Sequence, residues 1–398
     1  MGQPAGRALR ASSRATAGAR GVRMATPYML FEQPRAFRGP SRVWFGSHAA
    51  DRIADSLAEL GVRPGAAFLV TDAVVERLGL ARGVAAGLTA AGCEVHRYAD
   101  IPGEPSVEVA DRAVAATRRI APALVVGVGG GSVMDVAKIS AALVRNPGSV
   151  LDYTHVVGRR LAEASVPTIL VPTTAGTGAE ASQNAVFTTG ARKVFANNHP
   201  QLLATGAILD PLLTHSLPST VTAHTGLDAL SHCMEGTLST NATALTDQMA
   251  AQGTGLIFGV LRRACGANPD PAARAHMLLA AYLGGLSLNA GMVLGHSVAY
   301  TIANRLHLPH GLSCALALPY ALAYSREAAI AEVGGLCRDV GIPDSLRSLG
   351  LERDRLPEMV DECLEVYPRP NNPRPLARDA LRSLYEAMWD GRPAHTWH

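Results

Sequence analysis

Asp228 and His232 stand four residues apart in "GLDALSHCMEG", so a helix here would present both on one face. A carboxylate and an imidazole one turn apart can grip the same cation. His224 lies one turn earlier on that face and is a further candidate donor. Downstream, "GHSVAYTIANRLHLPHG" offers His296, His307 and His310. His296 opens an apolar, helix-like stretch, whereas His310 follows a proline in an expected loop. A borderline metal such as Fe2+ or Zn2+ accepts this nitrogen and oxygen mixture. Each residue also has an ordinary reading. An Asp–His pair is a common helix-face interaction, and a histidine in an apolar segment is often a hydrogen-bonded core residue. Spacing alone leaves both readings open.

A second chemical signal is "GVGGGSVMDVAK", residues 127–138, where an apolar run meets three glycines and a serine just before a helix carrying Asp135 and Lys138. Glycine lets backbone N–H groups approach an anion closely, and a helix start adds unpaired donors and a favourable dipole. A tight strand-to-helix turn without a ligand would look the same.

The elements that must position these residues come in two styles. From residue 42, short apolar runs alternate with amphipathic stretches. "AAFLVTD", "CEVHRYADI", "ALVVGVGGGS" and "PTILVPTTAGTGAE" read as strands, and "VVERLGLARGVAAGLTAAG" and "SVEVADRAVAATRRI" as helices. This alternation indicates βαβ units and a parallel sheet. Ligands in such sheets bind at the carboxyl ends of strands, where Asp72, the glycine turn and "PTTAGTG" all fall. Beyond "GAILDP" strand signals nearly vanish and long helical pattern takes over. The expected architecture is a Rossmann-like α/β domain over 25–210 with a parallel sheet, then an all-helical domain over 211–398.

Of the 398 residues, 48% are hydrophobic and 17% charged, which suits a large core and excludes general disorder. A net charge of +3 with no sustained basic block argues against nucleic acid or an anionic membrane as partner. No apolar stretch reaches the roughly 18 residues of a membrane span. Six cysteines without a CxxC pair suggest reduced thiols in a cytoplasmic protein. Residues 1–24 are rich in arginine and lack acids, as an organellar transit peptide would be. The duller reading is a disordered leader upstream of a start at Met24.

"GVGGGSVMDVAK", "VPTTAGTGAEASQNAV", "GLDALSHCMEG" and "GHSVAYTIANRLHLPHG" occur in the order found in the iron-containing (group III) alcohol dehydrogenase family. The sequence resembles that family from about residue 40 to the C-terminal helices. The resemblance implies one divalent metal, Fe2+ or Zn2+, on Asp228, His232, His296 and His310. It places a phosphate loop on Gly129, Gly130, Gly131 and Ser132. A second cofactor segment falls on Thr173, Thr174, Thr177 and Asn184, with Lys193 facing the cofactor. Asp72 falls on the acid that contacts the adenosine ribose. A carboxylate there accepts from a ribose diol and repels a 2′-phosphate, favouring NAD(H) over NADP(H). The same residue would serve as a helix N-cap.

The implied activity is NAD(H)-linked hydride transfer on a small alcohol or carbonyl, by a homodimer or larger homo-oligomer. A metal-independent enzyme like the maleylacetate reductases is the first alternative. A lyase resembling dehydroquinate synthase is the second, and Asp228 and the sparse basic residues in 224–310 count against it. Two departures bear on the substrate. Tyr300 stands where many members have a further histidine, four residues past His296, and a phenol is a poor base at neutral pH. It would donate a proton or shape the pocket. Glu104 precedes Pro105 where the family often has an asparagine.

Overall fold

The computed structural model describes residues 35–392 apart from 191, 197, 198, 267 and 326–328. The leader expected over 1–24 lies outside these residues. Eight strands are described: β1 (Arg42–Phe45), β2 (Ala66–Val70), β3 (Glu94–Tyr98), β4 (Leu124–Gly129), β5 (Thr168–Pro172), β6 (Ala185–Thr189), β7 (Arg192–Ala196) and β8 (Gly206–Leu209). Six of them form one parallel sheet in the order β1-β8-β5-β4-β2-β3. The middle strands are apolar throughout because both faces are covered. Phe68, Val70, Val125 and Leu170 enter the core on one side; Leu69, Val126, Val128 and Ile169 enter the core on the other. Between these strands run α1 (Ile53–Glu59), α2 (Ala73–Leu78), α3 (Arg82–Ala90), α4 (Val107–Ile120) and α5 (Gly131–Leu143).

Register places the chemistry. β4 lies between β2 and β5, with Val70 opposite Gly127 and Gly129 opposite Pro172. The carboxyl ends carrying Asp72, the glycine turn and Thr173 are therefore neighbours.

After β8 every regular element among the described residues is helical, the α-helices being α6 (Ser219–Leu238), α7 (Ala244–Ala264), α8 (Pro271–Ser287), α9 (Leu294–Leu306), α10 (His310–Ser325), α11 (Ile330–Asp339), α12 (Leu356–Glu365) and α13 (Arg378–Asp390). α6 is buried along most of its length and packs against α7, α8 and α10. That burial explains why its polar residues need partners.

Two local expectations are corrected, and one pair of strands is added. The single helix read after Asp72 is two helices, because Gly79 takes a left-handed conformation (φ 72°) that ends α2. β6 and β7 form an antiparallel hairpin outside the main sheet, in a stretch that sequence pattern left without strands. His310 is not in a loop but is the first residue of α10.

Candidate active site

α6 carries Asp228, His232 and Glu235 at i, i+4 and i+7; the first two line the cavity and Glu235 stands behind His296. α9 supplies His296 and α10 supplies His310. Asp228 is 2% exposed, and its Oδ1 has no hydrogen-bond partner. The Nε2 atoms of His232, His310 and His296 lie 3.5, 3.6 and 3.8 Å from that oxygen. These separations are too long for good hydrogen bonds. Donors at the roughly 2.0–2.2 Å metal distances of a tetrahedral site stand about 3.4 Å apart, which is close to what is observed. The donor set thus fits a divalent cation, which would also satisfy the buried Asp228 oxygen.

The protonation states agree with that fit. Burial pushes His232 down to about 4, with Asp228 only partly opposing it, so the ring is neutral near pH 7. Burial likewise lowers His310. At Asp228 burial pushes upward, but the three imidazoles outweigh it and hold the carboxyl below its usual range.

Glu235 organises α9. It is 1% exposed; its Oε2 accepts from the backbone N–H of Val293 (3.0 Å) and His296 (3.2 Å), capping a helix start that has no side-chain cap of its own. Its Oε1 accepts from His296 Nδ1 at 2.7 Å, which leaves Nε2 as the free lone pair facing Asp228. His232 lacks such support, since its Nδ1 is buried without a partner. Cys314, four residues past His310, also enters the group, with Sγ 3.5 Å from His310 Nε2 and 3.8 Å from His296 Nε2. Burial, with Asp228 and Glu235 adding to it, keeps this thiol protonated in the protein alone. Neither Glu235 nor Cys314 stood out in the sequence, although both occupy helical offsets from a candidate ligand. His224 does not line the cavity, and His307 is exposed at the end of α9.

The glycine turn forms the other end of the same cavity. α5 begins after Gly130 with no side-chain cap, so its first N–H groups lack internal partners. Gly131 and Ser132 line the cavity with Thr177 and Asn184. A β-carbon on Gly131 would stand 2.7 Å from Thr177 Cγ2, so a side chain here would force Thr177 to move. Gly129, Gly130, Thr173 and Thr174 stand behind this lining: Thr173 N–H donates to Gly129 O at 3.0 Å, and Thr174 packs over Gly130. Asp72 caps α2, its Oδ1 accepting from Val74 (2.8 Å) and Val75 (2.9 Å). It stays outside the cavity, at the neighbouring strand end.

The cavity, of about 310 Å³, runs from this turn to the imidazole cluster. Lys193, from β7, lines it and pairs with Glu104, so this acid meets a cation of the same chain. Asp135 pairs with fully buried Lys138 at 2.9 Å. Tyr300 is 5% exposed and stacks on His310, ring centroids 5.5 Å apart. Burial holds its phenol far above its ordinary range, so it is a neutral hydroxyl and never a base here.

Glu180, in the loop after β5, has both carboxylate oxygens buried without partners, and burial pushes its pKa up to about 7. The folded protein therefore binds the proton more tightly than the unfolded chain, whose ordinary value is 4.5. Stability supplied by the protonated form is full below about pH 4.5 and is lost as pH rises toward about 7. The stability difference between wild type and Glu180→Gln should shift by about 3 kcal/mol toward the variant between pH 4.5 and pH 8. Urea unfolding at both pH values checks this; a pH-independent difference would show that Glu180 is ionised in the fold.

The parallel-sheet half, the helical half and their relatives place the chain among the oxidoreductases. The chain belongs to the iron-containing alcohol dehydrogenase family. The model of that family, "Iron-containing alcohol dehydrogenase", matches residues 40–211, and its C-terminal counterpart matches 222–329. Long-chain-alcohol dehydrogenase 1 of Geobacillus thermodenitrificans is 34% identical over 376 residues, covering 87% of this chain and 94% of that protein. A solved 1,3-propanediol oxidoreductase superposes with a TM-score of 0.83 at 28% identity, over 90% of this chain and 100% of the other. The sulfoacetaldehyde reductase of Bifidobacterium kashiwanohense, solved in complex with NAD+, gives 0.80 at 26% identity, over 89% and 99%. Among the described residues no single helix is long and apolar enough to cross a membrane.

Proposed function

We propose that this enzyme transfers hydride reversibly between NAD(H) and a small alcohol or carbonyl compound, using one divalent cation, Fe2+ or Zn2+, held by Asp228, His232, His296 and His310. The observation that carries the reading is continuity: one cavity joins the open start of α5 to the imidazole cluster. When bound, such a cation supplies a Lewis acid for the substrate oxygen, and the nicotinamide supplies the redox chemistry.

The chain's own residues do the rest. Backbone N–H groups of Gly131 and Ser132 suit a pyrophosphate. Thr177, Asn184 and Lys193 line its path, with Thr173 and Thr174 shaping the turn. Tyr300, neutral and buried beside His310, excludes water and can only donate a proton. A metal-independent reductase of this fold would leave Asp228 Oδ1 buried and unsatisfied, which disfavours that alternative. The test is NADH consumption with a panel of small aldehydes, with metal determined in the same anaerobically purified sample. A metal-free preparation that reduces aldehydes at full rate would refute the reading.

Asp72 sets the cofactor choice in this proposal, and Asp72→Ser separates its two roles because serine still caps α2. The ratio of kcat/KM for NADP(H) over NAD(H) should rise about tenfold or more as a like-charge contact disappears. An unchanged ratio in a stably folded variant would confine Asp72 to capping.

A further inference from the structure

Leaving aside Asp228, which faces the imidazole cluster, the charges lining the cavity are matched with one exception. Asp135 has Lys138, and Glu104 has Lys193. Arg369, in the segment between α12 and α13, also lines the cavity and has no carboxylate partner among the described residues. It is not loose. Its Nε donates to Ser297 Oγ at 2.9 Å, and Ser297 Oγ donates to Tyr367 O at 2.6 Å. Its guanidinium carbon stands 5.9 Å from the centroid of Tyr300, the ring that stacks on His310. Tethering through Nε leaves the two terminal nitrogens, the fork that grips a planar anion. One aromatic ring therefore separates a fixed, half-buried cation from the imidazole cluster.

We infer that Arg369 is the anion-binding subsite of this cavity. The preferred substrate is accordingly a short ω-oxo or ω-hydroxy acid, its carbonyl or hydroxyl at the imidazole cluster and its anionic end on Arg369. This rests on the hydride-transfer reading above. Its chemistry is unchanged: hydride passes between the nicotinamide and the carbonyl carbon, one proton goes to the carbonyl oxygen, and the anionic end is a spectator. Phe195 and Tyr300, with Tyr367 packed behind them, give the cavity an aromatic face that suits a short methylene chain, while Asn371 adds a polar group to the lining.

The test compares succinic semialdehyde with butanal, matched in carbon number, using NADH and the metal-loaded enzyme. Wild type should favour the anionic aldehyde in kcat/KM by about 10- to 100-fold, the scale of a charge-assisted hydrogen-bonded pair. Arg369→Gln should erase most of that preference through KM rather than kcat, and Arg369→Lys should restore part of it. Equal preference in wild type, or an equal fall on both aldehydes in Arg369→Gln, would overturn the inference. A readout without turnover separates it from the parent reading. Thermal stabilisation by 4-hydroxybutyrate should exceed that by butanol in wild type and should vanish in Arg369→Gln. If no carbonyl is reduced yet this stabilisation behaves so, the hydride-transfer reading fails and the subsite stands. Absence of the stabilisation refutes the subsite.

Discussion

Replacing His296 with alanine is expected to give a folded protein that no longer retains a stoichiometric metal ion. His296 is held by two independent devices, the cap that Glu235 places on α9 and the bond from its own Nδ1 to Glu235 Oε1. Its Nε2 is therefore a pre-set donor, and the nearest other donor, Cys314 Sγ at 3.8 Å, is a thiol that burial keeps protonated. Three donors would remain, and Asp228 would lose one of the imidazoles that hold its charge. Loss of Lewis-acid assistance worth several kcal/mol corresponds to roughly a thousandfold in kcat/KM. Metal analysis on protein purified without oxygen and without a histidine tag checks the first claim, and steady-state kinetics check the second. Near-UV circular dichroism guards against misfolding. Unchanged metal content and rate would remove His296 from the donor set.

The second large effect falls at the other end of the cavity. Gly131→Val places a branched side chain where even a β-carbon would meet Thr177 at 2.7 Å, over the first unpaired N–H groups of α5. We expect NADH affinity to fall about a hundredfold, the scale of one or two charge-assisted hydrogen bonds. Metal content should stay at its wild-type value, because the cluster is built on α6, α9 and α10. Fluorescence titration with NADH, paired with metal analysis, separates the two ends. Full NADH affinity in this variant would show that the turn is only a strand-to-helix connection.

Much of this architecture is legible in the order of the residues. Strands β2, β4 and β5 announce themselves as unbroken apolar runs because they are buried on both faces, and their ends name Asp72, Gly131 and Thr173. The pair Asp228 and His232 is legible because helical spacing is a local property. What is not legible depends on contacts across the chain. Cys314 and Glu235 become interesting only once α9 and α10 lie beside α6. The β6–β7 hairpin is short, partly polar and turned at a glycine, so its two runs carry too little pattern to stand out. Arg369 lies in a proline-rich segment with no periodicity, and nothing local points it toward Tyr300.

Close backbone contacts between the sheet-bearing and helical halves bear on how the two ends of the cavity are spaced. Gly178, with φ 56°, lies against Gly285 of α8 so closely that a β-carbon on the former would stand 2.4 Å from the Cα of the latter. Main chain rests on main chain at this point, with no side chain between the sheet-bearing half and the helical half. Side chains can adjust by changing rotamer, but two backbones in contact have no such slack. The spacing is thereby insulated from repacking elsewhere. Residues such as Met292 and Phe195, which also line the cavity, can vary to admit a different substrate without altering the separation between glycine turn and imidazoles. A scaffold with such a stop can diversify in what it accepts while keeping how far apart it holds the reacting partners.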